Sequence, residues 1–160
     1  MKETIRRLFE HMQWADSQIF ERCRDAHGEM EVAHLTEALR LYSHIVAAER
    51  LWYLRLLKED WTVQKVWPTM SLEACGKMAK ENAALFDSYL DSLHDGDFGT
   101  LIPYTTSKGD FFETLVSDIL LHVALHGVHH RGQIALTLRR VGIEPPILDY
   151  THYRRSVNRS

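Results

Sequence analysis

Apolar residues recur every three or four positions along four long stretches of this 160-residue chain. That spacing places them on one face of an α-helix, and few prolines or glycines interrupt it. The sequence therefore predicts an all-α fold, a four-helix bundle with a crossover connection, built as a single domain over residues 1–160.

The first two helices are predicted from this periodicity and from residues typical of helix ends. The first helix is expected over Lys2–Arg24, followed by a polar connection over Asp25–Glu31. The second is expected over Thr36–Lys58, with Thr36 as its N-cap residue. Ser71 is a second N-cap residue and predicts the start of the third helix.

The second half of the chain is predicted to contain one extended segment and the longest helix. Residues Leu101–Asp110 are rich in threonine and tyrosine, which favours an extended crossover or a small hairpin. The fourth helix is expected over Phe112–Arg140, with Gly142 as its C-cap residue. The tail beyond Pro146 is expected to pack in part and to fray at its end.

Charge and cysteine content exclude several classes of function. The formal net charge of −3 gives no bulk attraction to nucleic acid. Cys23 and Cys75 form no CxxC pair, which argues against a disulfide framework and a thiolate zinc site. The sequence shows no signal-peptide pattern and no run of about 18 apolar residues. We therefore expect a cytoplasmic protein with no nucleic-acid and no membrane partner.

Histidines are concentrated in the fourth predicted helix, where four of the ten fall between residues 122 and 130. His122, His126 and His130 follow at intervals of four, so their imidazoles form one row on the helix surface. Two imidazoles at this spacing can bind one metal ion. His129 lies on an adjoining face, pointing outward or towards a second subunit.

A pair of histidines leaves a metal ion under-coordinated, so a third ligand is needed from a facing helix. His44 fits because it lies in mid-helix at the edge of an apolar stripe. Three neutral nitrogens suit Zn²⁺ or Ni²⁺, and also Fe²⁺, Co²⁺ or Mn²⁺. Three protein ligands leave a position open for water or substrate, as in catalytic sites. Core histidines with ordinary hydrogen bonds would give the same spacing.

Three stretches of the chain resemble the DinB family of damage-inducible helical proteins. HGVHHRGQIALTLRRVGIEPPILDY resembles the C-terminal signature of the family, HMQWADSQIF its first-helix pattern, and SHIVAAERLWYLRLL its second-helix pattern. The resemblance covers nearly the whole chain. It implies a four-helix bundle of the DinB and YfiT-like type, often a homodimer, with one divalent metal ion bound by three histidines.

Carried over residue by residue, the metal ligands implied by the resemblance are His44, His126 and His130. The last of these is the histidine directly before Arg-Gly-Gln. His122 lies one turn before His126 and remains the rival ligand, and we interpret it as a wall of the pocket. Glu49 lies too far around the helix from His44 to share the ion, and is expected to pair with an arginine or to cap a neighbouring turn.

Three further residues are candidates for the surroundings of the metal. Arg131 is expected either to hold a carboxylate such as Asp149 or to bind an anionic substrate or thiol. Gln133 is a structural residue or a pocket residue. Asp149 follows two prolines and either orients a ligand imidazole or simply packs on the bundle.

The resemblance also implies a class of function. Relatives include a mycothiol-dependent maleylpyruvate isomerase and bacillithiol transferases. We therefore expect a metal-dependent hydrolase or thiol S-transferase that acts on a small electrophilic molecule, with a bacillithiol-type or mycothiol-type thiol as cofactor. No general base can be assigned from the sequence. The alternatives are a stress-response bundle that the metal only stabilises and, resting on the family's name alone, a DNA-associated protein.

Overall fold

The computed structural model describes residues 1–26 and 32–158, except the side chains of residues 32 and 33. This part of the chain is mostly helical, as predicted. Its elements are, in order, α1 (Lys2–Asp25), α2 (Val32–Leu56), α3 (Leu72–Ser92), β1 (Leu101–Thr105), β2 (Phe111–Leu115), α4 (Val116–Arg140) and α5 (Tyr150–Val157). Two 3₁₀ turns, Trp61–Val63 and Asp95–Gly99, precede α3 and β1.

Helices α1 to α4 form a four-helix bundle with crossing connections. α2 packs mainly against α4 and α1 mainly against α3, while α2 on α3 and α1 on α4 close the remaining sides. α1 therefore lies at the corner opposite α2, and α3 at the corner opposite α4, so these two connections cross the bundle, whereas α2 and α3 are neighbours. This arrangement confirms the predicted crossover bundle.

The connection between α3 and α4 contains a β-hairpin. β1 and β2 are antiparallel, with Leu101 opposite Leu115 and Thr105 opposite Phe111. Of the two conformations predicted for this segment, the hairpin is the one that forms. β2 also takes residues that we assigned to the fourth helix, because its phenylalanine and threonine side chains suit a paired strand. α4 consequently begins at Val116 and not at Phe112.

Two predicted helix ends agree with the structure. The Oγ of Ser71 accepts a hydrogen bond from the backbone N–H of Ala74 at 3.2 Å, which caps α3. Gly142 has a φ of +78°, and its N–H donates to the carbonyl of Arg139 at the end of α4. This left-handed position suits glycine because an L side chain is strained there.

Other helix ends differ from the prediction. The N-cap at Thr36 is wrong, because α2 begins at Val32 and continues through it. α2 ends at Leu56, two residues before the expected end, and Lys58 just beyond it has a φ of +58°. The predicted connection over residues 25–31 lies outside the described residues from position 27 onward. The tail is more regular than expected, since it forms α5 and buries Tyr153 against Trp14.

The interior of the bundle contains two apolar clusters separated by a layer of polar side chains. One cluster includes Ile19, Tyr42, Ile45, Cys75, Ile134 and Leu138. The other includes Phe9, Met12, Phe86, Leu90, Ile119 and Leu120. Each of the four helices contributes one buried polar residue between them, namely Asp16, Glu49, Asn82 and Arg131. We refer to these four residues as the polar layer.

None of the described helices combines the length and the apolar composition needed to cross a membrane.

Candidate metal centre

His44, His126 and His130 lie together where α2 packs against α4. One nitrogen from each ring lies within 4.8 Å of the other two. Nε2 of His44 is 3.1 Å from Nε2 of His126. Two nitrogens bound to a tetrahedral Zn²⁺ at about 2.0–2.1 Å are separated by roughly 3.3 Å. The cluster therefore has a spacing that suits a three-nitrogen metal site.

Helical geometry explains why these rings meet. His126 and His130 are one turn apart on the face of α4 that packs on α2, so their ring centroids are 4.5 Å apart. His44 approaches from α2, and its ring centroid lies 4.9 Å from that of His126 and 4.7 Å from that of His130. Each ring stands edge-on to its neighbours, so the nitrogens converge.

Carbonyl oxygens hold two of the three rings by their Nδ1 atoms. Nδ1 of His44 lies 2.7 Å from the backbone oxygen of Val66, and Nδ1 of His130 lies 2.8 Å from Oε1 of Gln133. Because a carbonyl oxygen only accepts, each Nδ1 carries the proton and each Nε2 keeps a lone pair. Such outer contacts orient a metal-binding imidazole and fix its tautomer.

Burial favours the neutral, metal-binding form of His44 and His126. Burial and, to a smaller extent, repulsion from the neighbouring imidazoles lower the pKa of His126 to about 3. Burial also lowers the pKa of His44, although the hydrogen bond to Val66 opposes this effect. Both rings are therefore mainly neutral near pH 7.

Trp67, in the segment between α2 and α3, covers one side of the cluster. Its ring is stacked on His44, and the guanidinium of Arg40 lies 4.5 Å from its centroid. The side chain is 48% exposed, so it borders the solvent. Neither Trp67 nor Val66 could be predicted from the sequence, since helical periodicity does not relate a loop to a site.

His122 lies beside the three-histidine group and is not part of it. Its ring centroid is 5.7 Å from that of His126 and 4.9 Å from that of Trp52. Burial lowers its pKa, and the charge of Arg55 adds to this effect. His122 and Trp52 therefore lie next to the three-histidine group, beside His126.

Arg55 contacts aromatic rings of three segments: α2, the 3₁₀ turn that follows it and the β-hairpin. Its guanidinium carbon lies 4.4–4.5 Å from the ring centroids of Trp52, Trp61 and Tyr104. The side chain is buried, and Nη2 donates to the backbone oxygen of Thr105 at 3.3 Å. Cation–π contacts of this kind join α2 to the 3₁₀ turn at Trp61–Val63 and to the hairpin.

Arg131 does not pair with Asp149. Its Nη1 lies 2.8 Å from Oδ1 of Asp16, and the side chains of both residues are almost fully buried. Asp149 is the N-cap residue of α5 and lines a cavity of about 260 Å³ with Val128 and Gly132. Those two positions lie roughly half a turn from the histidine row. Asp149 therefore lies on the other side of α4 from the three histidines.

Glu49 also has a different partner from the one expected. It is 2% exposed, and its Oε2 accepts a hydrogen bond from Nδ2 of Asn82 at 3.1 Å, so its partner is an amide and not an arginine. Burial raises the pKa of Glu49 to about 8, the charge of Asp16 adds to the rise, and Arg131 opposes it. Glu49 is therefore mainly a neutral acid near pH 7.

A protein-family model and a curated relative each match nearly the whole chain. A model of the DinB family matches residues 1–159. The protein DinB of Bacillus subtilis (strain 168) is 23% identical over 171 aligned positions, which cover 96% of this chain and 95% of that protein. Both matches therefore include the two helices that carry the histidine cluster.

Proposed function

The chain belongs to the DinB family, and from that premise we propose that it binds one divalent metal ion through His44, His126 and His130. We further propose that it acts as a metal-dependent hydrolase or thiol S-transferase on a small electrophilic molecule. The supporting observation is that three imidazole nitrogens lie within 4.8 Å of one another on two packed helices.

The chemistry of the donors fits a borderline transition-metal ion. All three donors are imidazole nitrogens, and no carboxylate of the described residues belongs to the group. Ca²⁺ and Mg²⁺ prefer oxygen ligands, whereas imidazole suits Zn²⁺, Ni²⁺, Fe²⁺, Co²⁺ and Mn²⁺. We therefore propose Zn²⁺ or Ni²⁺ as the resident ion, with the others as weaker alternatives.

The residues around the cluster can position a substrate. When bound, a divalent ion with three protein ligands lowers the pKa of a thiol or water at a remaining position. The Val66 carbonyl and Gln133 hold the ligand rings in place. Trp67, Trp52 and His122 limit access of water and offer flat apolar surface to an electrophile.

Elemental analysis of protein purified without a histidine tag tests the metal proposal. We expect about one equivalent of one divalent metal in the wild type, and none in the H126A variant. The H152A variant is the control, because His152 is an exposed histidine on α5 whose ring centroid lies 6.1 Å from that of Trp14. If no metal copurifies with the wild type and none binds at micromolar concentration, the metal proposal is wrong.

A second experiment separates catalysis from stabilisation. A histidine cluster that joins α2 to α4 would also stabilise the bundle when it holds a metal. The wild type is screened for thiol conjugation with bacillithiol-type and mycothiol-type thiols and for hydrolysis, with H126A as the blank. Turnover that H126A lacks supports the enzyme, and a rise in melting temperature on metal binding without turnover supports the non-catalytic alternative.

A further inference from the structure

The polar layer lies at about the same level along the bundle axis as the histidine cluster. Arg131 follows His130 directly on α4, and Glu49 lies five residues after His44 on α2. One residue along a helix is a rotation of about 100°, so Arg131 points into the bundle while His130 faces α2. The two helices that carry the histidine cluster, α2 and α4, therefore each contribute one member of the polar layer.

Two buried contacts connect the layer across the bundle. Nη1 of Arg131 lies 2.8 Å from Oδ1 of Asp16, which connects α4 to α1. Nδ2 of Asn82 donates to Glu49 at 3.1 Å and to the backbone oxygen of Val46 at 2.8 Å, which connects α3 to α2. Hydrogen bonds of this kind have preferred distances and angles, whereas the burial of the apolar clusters above and below them is non-directional.

Gly127 provides the space that Arg131 occupies. A Cβ atom at position 127 would lie 2.7 Å from Nη2, 2.9 Å from Nη1 and 3.0 Å from Cζ of Arg131. The guanidinium therefore lies back along α4, over the residue that directly follows His126. Glycine in the interior of a helix is less favourable than alanine. Its presence here is explained by the space that the buried guanidinium needs.

We propose that Arg131 is a positioning residue for the histidine cluster. Its ion pair with Asp16, which Gly127 makes possible, sets the rotation of α4 about its axis and so directs His126 and His130 towards His44. Arg131 acts through the helix and not by contact with the ion. This inference rests on the proposed function only where it is tested by metal binding; the arrangement of the rings can be tested without a metal.

A matched pair of glycine variants tests the proposal. Gly127 and Gly132 both lie within α4, but a Cβ at position 132 meets nothing within 4 Å. We expect G132A to raise the melting temperature and to leave Co²⁺ affinity and its d–d absorption spectrum unchanged. We expect G127A to weaken Co²⁺ binding by about tenfold or more and to alter that spectrum. Wild-type affinity and spectrum in G127A would overturn the proposal.

A charge-neutral double variant separates positioning from stability. R131M alone leaves the carboxylate of Asp16 buried without its cation, which destabilises the fold, and the double variant R131M/D16N removes both charges. If Arg131 positions the histidines, the double variant recovers melting temperature but not Co²⁺ affinity or spectrum. Recovery of both together would show that the ion pair is merely structural and would overturn the proposal.

Ring contacts in metal-free protein give a readout that does not depend on the metal proposal. Nε2 atoms of His44 and His126 are 3.1 Å apart, so nuclear Overhauser contacts between the two rings are expected in the wild type and in G132A. Their loss in G127A supports the proposal, and their persistence overturns it. If the wild type binds no Co²⁺, the proposed function is wrong. The ring contacts would still show whether Arg131 positions the histidines.

Discussion

The indole ring of Trp67 lies parallel to the imidazole of His44, with an interplanar angle of 5° and ring centroids 3.6 Å apart. The carbonyl of the preceding residue, Val66, accepts the Nδ1 proton of the same histidine at 2.7 Å. Two consecutive residues of one loop thus contact the same imidazole. The loop between α2 and α3 is therefore part of the proposed metal centre.

This stacking makes Trp67 a reporter of metal binding. We expect Co²⁺ or Ni²⁺ to quench the tryptophan fluorescence of the wild type, because the ion would bind to the imidazole on which the indole is stacked. W67F should lose most of the quenching while Co²⁺ absorption still shows binding. W61F is the control, since Trp61 packs on Arg55. Full quenching in W67F would contradict the stacking.

Gln133 is expected to strengthen metal binding without contacting the ion. Its Oε1 lies 2.8 Å from Nδ1 of His130, and this contact keeps Nε2 of that ring available. Q133A should therefore weaken metal affinity by about tenfold, as is usual for the loss of such a contact. The control is Q13A, because Gln13 bonds to Asp87 between α1 and α3. Calorimetric titration showing equal affinities for Q133A and Q13A would refute this role.

His122 and His126 should differ sharply in metal-induced stabilisation. A ligand at 100 times its Kd stabilises the folded state by about 2.7 kcal/mol. We expect stabilisation of this size in the wild type and in H122A, since His122 lies outside the three-nitrogen group. H126A should show almost none. Urea unfolding with and without Zn²⁺ measures the effect, and loss of stabilisation in H122A would make His122 the ligand.

The helical part of the site was predictable because one fixed geometry relates its residues. A spacing of four places His126 and His130 on one face of any α-helix, whatever the rest of the chain does. The spacing could not exclude His122, which has the same relation to His126. That choice required the family resemblance, and among the described residues His44 groups with His126 and His130.

The remaining parts of the site depend on contacts between distant segments, which no local pattern encodes. Arg131 and Asp16 are 115 positions apart in the chain, and Asp149 was an equally plausible partner by charge. The strand at Phe111–Leu115 was assigned in part to a helix because its pairing partner β1 decides its conformation. Trp67 was missed because only the folded loop brings it to His44.

We expect the homodimer implied by the family resemblance to form through the outer face of α4. Leu121, Leu125, Val128 and Leu136 are exposed along this face, with exposed fractions between 38% and 65%. We expect V128E to shift the chain towards the monomer in analytical ultracentrifugation, because a carboxylate in an apolar interface is costly to bury. V63E is the matched control, since Val63 is equally apolar and 74% exposed but lies in a 3₁₀ turn before α3. Identical sedimentation of the two variants would contradict this interface.

Glu49 is expected to make the stability of the metal-free protein fall as pH rises. Burial raises its pKa from 4.5 to about 8, and its Oε1 has no hydrogen-bond partner among the described residues. Above about pH 4.5 the unfolded chain loses this proton, whereas the folded protein keeps it until about pH 8. The unfolded state then binds fewer protons, so Glu49 lowers the free energy of unfolding by up to about 1.4 kcal/mol per pH unit. Above pH 8 its contribution becomes constant.

The variant E49Q isolates this effect, because glutamine resembles the neutral acid and every histidine is retained. Urea unfolding in EDTA should show E49Q gaining stability relative to the wild type between about pH 5 and pH 8, with a constant difference above that range. E113Q is the control, since Glu113 is exposed on β2 and its variant should follow the wild-type pH dependence. Parallel curves for E49Q and the wild type across this range would show that Glu49 is already ionised in the folded protein. The polar layer would then hold two carboxylates against the single cation of Arg131.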